Sequence, residues 1–212
     1  MSMFFRMVFA CLVDADHSDT ATGYGQYPKR DTMPKLQPEL RLEALNRYVA
    51  SLGADSPNRR NELRTQMYEK CRDGQQEEGI VSNDGPVGSG KTTAVMAYQL
   101  NQAILKGARR IFVVLPYTNI ITQSVEVYRE ALKLPGEEPE TVVAELHCKA
   151  DFEDEDTRYL TSLWRAPFIV PTAVAFFETL ASTRPGTLRR LHELPGSIIF
   201  MDEAHAAPPL TL

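Results

Sequence analysis

The sequence predicts an α/β fold in which helices flank a parallel β-sheet. Three observations predict it. From residue 79 onward, short apolar runs alternate with longer amphipathic segments, a pattern typical of parallel strands joined by helical crossovers. A glycine-rich stretch at 85–92 precedes one amphipathic segment, and an apolar run at 197–201 ends in two carboxylates. In open α/β sheets such motifs meet at the carboxyl edge, so we expect a ligand site there.

The first 78 residues predict helices and a linker. Residues 1–16 are an apolar segment that ends in an acidic turn, and we expect a buried helix because the segment is too short to span a membrane. No signal-peptide cleavage pattern follows it. Residues 17–38 are polar and rich in Gly and Pro, which predicts a linker. Residues 39–78 form a helical lead-in, with helices at 38–52 and 57–72.

The sheet domain is predicted at 79–212. Its first strand candidate, 79–84, is short and weakly apolar. The continuous apolar run at 108–116 predicts a strand that is buried on both faces. Further strands are predicted at 142–147, 168–170 and 197–201, and helices at 92–106, 119–134, 156–164, 172–182 and 187–194.

Composition argues against a globally charged binding surface. The 212 residues are 43% hydrophobic and 24% charged, with a formal net charge of −5, which is ordinary for a soluble globular protein. No overall positive field indicates nucleic acid. Any nucleic-acid surface would be local, at Arg109-Arg110 or Arg189-Arg190, although pairs that are merely solvated are an equal alternative.

The cysteines indicate a reducing compartment. Cys11, Cys71 and Cys148 are odd in number and share no metal-binding spacing. Reduced thiols in a cytoplasmic protein are the simplest interpretation, and no membrane partner is expected.

Residues 85–92 match the phosphate-loop pattern G-x-x-x-x-G-K-[ST]. Glycines let backbone N–H groups close around a triphosphate, Lys91 reaches the β- and γ-phosphates, and the Thr92 hydroxyl can bind Mg²⁺. The following helix would direct its positive dipole end at the phosphates. The motif therefore predicts an ATP and Mg²⁺ site, with a chance Gly/Ser turn as the alternative. The predicted nucleotide-binding residues are Gly85, Gly88, Ser89, Gly90, Lys91, Thr92 and Thr93.

An acidic motif follows the last predicted strand. Asp202 stands at the tip of an apolar run, and Glu203 comes next. Beside a phosphate loop, such an aspartate holds Mg²⁺, and the glutamate orients and deprotonates the attacking water. Lys91, Asp202 and Glu203 are therefore the candidate catalytic residues. An acidic turn after a core strand is the alternative, which the phosphate loop disfavours.

These motifs resemble the first RecA-like domain of a superfamily 2 helicase of the DEAD/DEAH-box type. GPVGSGKTT corresponds to motif I, 115–123 resembles motif Ia, 169–180 resembles motif Ib, and 202–205 reads DEAH, as in motif II. The resemblance implies a P-loop RecA-like sheet and ATP hydrolysis. It also implies that Pro116, Thr118 and Thr172 contact the backbone of single-stranded DNA.

Several strings resemble more narrowly the CRISPR-associated helicase–HD-nuclease family of type I interference systems. They are residues 5–16, 61–71, 116–123, 166–178 and 189–192. The first resembles the closing helix of an HD nuclease domain, in which Asp16 would be a metal ligand. The resemblance implies antiviral defence and recruitment by a guide-RNA surveillance complex.

The sequence also departs from that family. Val87 replaces a threonine of the loop, and the four histidines include no His-Asp pair. Nuclease activity is therefore not expected, and Asp16 would be an orphan ligand. The sequence stops seven residues after His205, before a second RecA-like domain. We expect a fragment that binds Mg-ATP and single-stranded DNA with weak or no activity alone, and whose second RecA-like and HD portions are encoded separately.

Two other interpretations remain open at this point. The phosphate loop and the acidic motif would suffice for a P-loop ATPase unrelated to nucleic acid. An inactive product of a broken reading frame would also carry both motifs.

Overall fold

A computed structural model describes residues 2–28, 33–52, 59–75, 78–86, 88–116, 118–146 and 155–203. Its helices and strands follow one another in this order: α1 Met3–Gly23, α2 Pro38–Leu52, α3 Arg59–Arg72, α4 Lys91–Lys106, β1 Arg110–Val114, α5 Thr118–Leu132, α6 Pro139–Val142, β2 Val143–Leu146, α7 Glu155–Ser162, β3 Phe168–Pro171, α8 Ala173–Ala181, α9 Pro185–Leu188, a 3₁₀ turn Leu191–Glu193, and β4 Ser197–Met201.

The four strands form one parallel sheet in the order β2-β3-β1-β4. The central strand β1 is buried from Ile111 to Val114, as its continuous apolar run predicts. Ile111 and Val113 face the core beneath α2, α4 and α5, whereas Phe112 and Val114 face a second core on the other side. The predicted α/β class, a parallel sheet with flanking helices, is confirmed.

An aromatic cluster fills the second core. The ring of Phe112 lies 5.1 Å from that of Trp164, in an edge contact, and Trp164 stacks on Phe176 at 6.1 Å. The guanidinium of Arg190 lies 4.9 Å from the Trp164 ring. Ala10 of α1 packs into the same core, so this side of the sheet also holds the N-terminal helix.

The strand predicted at 79–84 is wrong. None of residues 78–86 joins the sheet, and Ile80 is fully exposed. A strand is stable only beside a neighbour that pairs with its backbone. In the described part of the chain β4 pairs with β1 alone, so no strand lies next to its outer edge. Residues 79–84 contain only two large apolar side chains and end in Asn and Asp, which are depleted in strands, so this short segment remains irregular beside that free edge.

Helix α1 differs from its prediction in length and in burial. It runs to Gly23, past the predicted linker start at 17, because residues 17–22 contain neither Gly nor Pro. Its first half is not buried: the Phe4 side chain is 70% exposed, and only Ala10, Val13 and Asp14 are buried. Apolar composition alone predicted burial, whereas burial requires an apolar surface to pack against.

The helix predicted at 187–194 is also wrong, because it divides into α9 and a 3₁₀ turn. Pro185 at the first turn of α9 starts that helix earlier than predicted. The chain then bends at Arg189 and Arg190, whose side chains turn inward to Asp14 and Trp164. The other predicted elements lie within two residues of the observed bounds wherever the chain is described.

A buried arginine joins the lead-in helix α2 to the sheet domain. Arg41 is fully buried and donates to the carbonyl oxygens of Leu36 and Leu132, each at 2.7 Å. Two further N–H groups donate to the carboxylate of Glu137, at 2.8 and 2.9 Å. Leu132 is the last residue of α5, where helical carbonyls carry partial negative charge. Arg41 therefore fixes α2 to the end of α5.

We predict that Glu137→Gln lowers the free energy of unfolding, because the buried guanidinium would lose its counter-charge. Disruption of a buried pair at one partner costs about 3 kcal/mol. The matched control is Glu138→Gln, since Glu138 is exposed and caps no helix with its side chain. Urea unfolding of both variants checks this, and equal stability would contradict the role of Arg41.

A cluster of ion pairs holds α1 against the sheet domain. The buried Asp14 accepts a hydrogen bond from Nε of Arg189 at 2.8 Å, and Arg165 and His192 lie 3.3 and 3.7 Å from its carboxylate. Arg189 is buried. It was a candidate for a nucleic-acid surface or a solvated pair, and neither interpretation holds, because Asp14 is its partner.

Glu193 forms the second half of this cluster. Its carboxylate lies 2.7 Å from Arg110 and 3.6 Å from Arg109, with His192 at 3.5 Å. Arg110 is therefore also engaged inside the protein, whereas Arg109 stays exposed. Burial raises the pKa of Glu193, but the His192 hydrogen bond and the charges of Arg110, His192 and Arg109 outweigh it. The pKa consequently lies below its ordinary value of 4.5.

We predict that Glu193→Gln reduces the acid sensitivity of folding. A carboxyl whose pKa is lowered on folding stabilises the protein above its unfolded pKa, and this stabilisation is lost as the pH falls through the folded pKa. The difference in Tm between wild type and Glu193→Gln should therefore shrink below about pH 4.5, the ordinary glutamate value. The control is Glu126→Gln, at an exposed site on α5, and should show no such trend. A constant difference in Tm would contradict the assignment.

Candidate nucleotide site

The phosphate loop ends in a tight turn before α4. The backbone N–H of Ser89 donates to the carbonyl of Pro86 at 3.2 Å. Gly88 and Gly90 have φ values of 78° and 80°, a left-handed conformation that is unfavourable for residues with a side chain. Gly90 then caps α4. Val87, the position that departs from the helicase pattern, lies outside the described residues.

Lys91 begins α4, so the loop meets a helix N-terminus directly. The Thr93 hydroxyl donates to the carbonyl of Gly90 at 3.0 Å and closes the first turn. Thr92 is exposed, and its hydroxyl has no hydrogen bond within the described part of the chain. The first N–H groups of an α-helix have no carbonyl partner inside the helix and point outward, which favours an anion.

Ser89 provides a test of whether the loop fits a ligand. Its hydroxyl oxygen is buried yet has no hydrogen-bond partner among the described residues. A Cβ at Gly85 would lie 3.2 Å from this oxygen, so glycine keeps the space around it open. A buried hydroxyl normally finds a partner. A phosphate oxygen bound in the loop would provide one.

Helix α3 lies against the same loop. Nε of Arg64 donates to the carbonyl of Gly88 at 2.9 Å, and the guanidinium of Arg60 lies against Gly88 as well. Neither arginine was identified from the sequence. Their spacing of four residues on one helix face was the available signal, but only the fold reveals that this face meets the loop.

The acidic motif continues from β4. The N–H of Asp202 donates to the carbonyl of Val114 at 3.0 Å, one residue beyond the Val114–Met201 pair. Asp202 is half-buried. The pKa of the buried Tyr128 is raised, first by burial and then by the negative charge of Asp202, so this carboxylate lies near α5. Glu203 is exposed, with a φ of 50° that is uncommon for a non-glycine residue.

The topology places the two motifs at one edge. Helix α4 packs against β1 and β4, and only residues 107–109 connect it to β1, so it runs antiparallel to the strands. Its N-terminus at Lys91 therefore lies at the carboxyl edge of the sheet, where Asp202 follows the last residue of β4. The edge thus combines a cationic loop with a carboxylate, which suits a phosphate-bound divalent cation.

Two of the three candidate nucleic-acid contacts lie at the ends of neighbouring strands. Thr172 caps α8, and its hydroxyl oxygen accepts from the N–H of Ala175 at 3.1 Å. Thr172 forms a β-bridge with Leu115, which precedes the half-buried Pro116. Among the described residues, the hydroxyl hydrogen of Thr172 has no acceptor and can donate to a ligand. Thr118 starts α5, but its side chain lies outside the described part.

Asp16 was expected to be an orphan metal ligand. It is exposed on α1 and lines a shallow pocket with His17, Tyr159 and Arg189. The described residues contain no group of three His, Cys, Asp or Glu side chains that could hold a metal ion. Asp14, which the sequence did not single out, is the carboxylate that this helix buries.

None of the helices in the described part of the chain combines the length and the apolar character that crossing a bilayer requires. Cys11 and Cys71 are free thiols, and burial raises the pKa of Cys71. Cys148 and His205 lie outside the described residues.

The family comparison covers the part of the chain that holds this site. The DEAD/DEAH box helicase model matches residues 62–207, more than half of the 212 residues. No curated protein matches the chain significantly. The matched range includes the phosphate loop, all four strands and the acidic motif. The RecA-like class of the parallel sheet agrees with this match, and the chain belongs to the DEAD/DEAH box helicase family.

Proposed function

We propose that the chain is the ATP-binding portion of an ATP-dependent DNA helicase that binds Mg-ATP and single-stranded DNA. One observation carries the proposal: the phosphate loop and the acidic motif lie at the same carboxyl edge, in a domain of the DEAD/DEAH box helicase family. Family membership supports nucleotide-driven chemistry. The choice of DNA rests on the sequence resemblance.

In this proposal the loop binds the triphosphate. The backbone N–H groups at the start of α4 donate to phosphate oxygens, and the ammonium group of Lys91 neutralises their charge. The Thr92 hydroxyl and the Asp202 carboxylate hold Mg²⁺. When bound, Mg²⁺ supplies positive charge that stabilises the charge developing on the transferred phosphoryl group. The oxygen ligands fit this cation, because magnesium favours hydroxyl and carboxylate oxygens.

Glu203 has a separate role. Its exposed carboxylate follows Asp202 at the strand end. It orients the attacking water and accepts one of its protons, while the other side chains hold the nucleotide. Because Glu203 acts on the water and not on the phosphates, the residue contributes to turnover and not to nucleotide affinity.

Single-stranded DNA is proposed to cross the carboxyl edge at Pro116, Thr118 and Thr172. Contacts to the phosphate backbone allow movement along any sequence, since they read no bases. The available hydroxyl hydrogen of Thr172, beside the end of β1, supports such a contact. In this proposal turnover requires a second RecA-like domain, because hydrolases of this kind complete their site with an arginine that contributes about 10³–10⁵ in rate.

We further propose that the helicase acts in CRISPR antiviral defence. It rests on the sequence strings at 61–71, 116–123, 166–178 and 189–192, which resemble the type I helicase–nuclease. In that role a guide-RNA surveillance complex recruits the helicase to DNA. Neighbouring genes for a second RecA-like portion, an HD portion and the surveillance complex would support it, and their absence from the locus would oppose it.

One observation favours a second candidate, a P-loop ATPase that does not act on nucleic acid. Three of the four arginines that the sequence offered for a nucleic-acid surface are engaged internally: Arg110 and Arg189 in ion pairs, and Arg190 over the Trp164 ring. The fourth, Arg109, is exposed. The two candidates differ in whether DNA binds at all.

We predict that Lys91→Ala weakens Mg-ATP binding at least about tenfold, since hydrogen bonds to charged groups are among the strongest. Glu203→Gln should bind Mg-ATP as wild type does. Lys133→Ala is the control, because Lys133 is exposed beyond the end of α5. Isothermal titration calorimetry measures all three. Unchanged affinity in Lys91→Ala would contradict the nucleotide site.

We predict that single-stranded DNA binds at low salt and that Thr172→Val binds it more weakly than Thr172→Ser, which keeps the hydroxyl. Fluorescence anisotropy with a labelled oligonucleotide, with and without Mg-ATP, measures this. A turnover assay with a second RecA-like domain added asks whether the oligonucleotide stimulates hydrolysis. Nucleotide binding without any DNA binding or stimulation would favour the second candidate.

A further inference from the structure

Helix α3 is anchored to α2, and one of its faces contacts the phosphate loop. Tyr68 is buried, and its hydroxyl donates to Oδ1 of Asn46 in α2 at 2.7 Å. One residue earlier, the Met67 side chain lies 3.2 Å from where a Cβ of Gly85 would stand. On a helix, residues three and four apart share a face. Arg64 and Arg60 therefore follow Met67 along this face, toward the start of α4.

The two arginines contact the loop at its left-handed glycines. Nε of Arg64 donates to the carbonyl of Gly88 at 2.9 Å, and its Cγ lies 3.4 Å from the Cβ position of Gly90. A Cβ at Gly88 would overlap Nη2 of Arg60. The φ of 78° favours glycine at position 88, and the absence of a side chain there lets the Arg60 guanidinium lie against the backbone.

No carboxylate among the described residues neutralises the charges of the two arginines. Within the described part of the chain, Arg60 has no hydrogen bond or ion pair, and the other side-chain contact of Arg64 is the neutral Oδ1 of Asn61, at 3.4 Å. A guanidinium is a cationic group with five N–H donors. Together with Lys91 they place three positive charges around one loop. Positive charges near the loop stabilise an anionic ligand that binds there.

We propose that Arg60 is a phosphate-binding residue of the nucleotide site and that Arg64 is a positioning residue that holds the Gly88 carbonyl. This inference rests on the proposed nucleotide function and extends it to α3, a helix that precedes the loop. The planar guanidinium of Arg60 offers two parallel N–H donors, which match two oxygens of a phosphate group. The ligand recognised by this pair of arginines is the polyphosphate moiety and not the base.

Calorimetry of the full chain with Mg-ATP and with inorganic tripolyphosphate tests the role of Arg60. Arg60→Gln should weaken the binding of both ligands about tenfold, which is the effect of losing one hydrogen bond to a charged group. It should also make the affinity for both ligands less dependent on salt. Arg60→Lys should retain part of the affinity. Arg59→Gln is the matched control: it removes a charge that is also exposed from the same helix turn, and it should bind as wild type does.

The role of Arg64 has a readout that does not need a ligand. Arg64→Gln should speed amide hydrogen exchange at 88–90 in the nucleotide-free protein, because the loop loses its hydrogen bond to α3. Arg60→Gln should leave that exchange unchanged. Equal exchange in wild type and Arg64→Gln would overturn the positioning role.

Failure of the inference and failure of the proposed function give different results. If wild type binds Mg-ATP and Arg60→Gln binds it equally well with the same salt dependence, the phosphate role of Arg60 is overturned and the proposed function stands. The same holds if Arg59→Gln and Arg60→Gln weaken binding equally, since the effect would then be one of general charge. If wild type binds neither Mg-ATP nor tripolyphosphate, both are overturned.

Discussion

Parallel pairing of β1 with β4 is the constraint on which the rest of this structure depends. The two strands pair residue by residue from Arg110 and Ser197 to Val114 and Met201. Because their directions agree, both strands end at one edge, and the acidic motif emerges beside the segment that carries Pro116. Helix α4 runs back along the same strands and brings the phosphate loop to that edge. The order of the strands therefore assembles, from segments far apart in sequence, a site that no single segment contains.

Charged side chains decide how the outer helices attach to this sheet. Arg41 fixes α2 to the end of α5, and Asp14 fixes α1 to Arg189. Each of these groups is buried and hydrogen-bonded, as removal of a charge from water requires. Arg60 differs, because its guanidinium lies on the phosphate loop without a counter-charge among the described residues. Arg60 is exposed to solvent, so its contact with Gly88 of the loop, and not the absence of a counter-charge, supports a ligand-binding role.

Much of the sheet could be predicted from sequence, because its signals are local. The continuous apolar run of β1 and the turn chemistry of the phosphate loop depend only on neighbouring residues. Features that depend on distant partners could not be predicted. Helix α1 is apolar, but much of its apolar surface has nothing to pack against. Arg110 and Arg189 pair with Glu193 and Asp14, carboxylates that are distant from them in the sequence. The contact of Arg60 and Arg64 with the loop belongs to this group. The roles of Lys91, Asp202 and Glu203 stay predictions until a nucleotide is bound.

Amide hydrogen exchange, mapped by mass spectrometry with and without Mg-ATP, tests the central claim most directly. A bound triphosphate would occupy the N–H groups that the loop and the start of α4 leave without partners, and would order the residues around them. Exchange should therefore slow at 88–93 and at 202–203, and the β2 edge of the sheet should be unaffected. Unchanged exchange at 88–93 under Mg-ATP saturation, or protection confined to the far edge of the sheet, would contradict a nucleotide site at this loop.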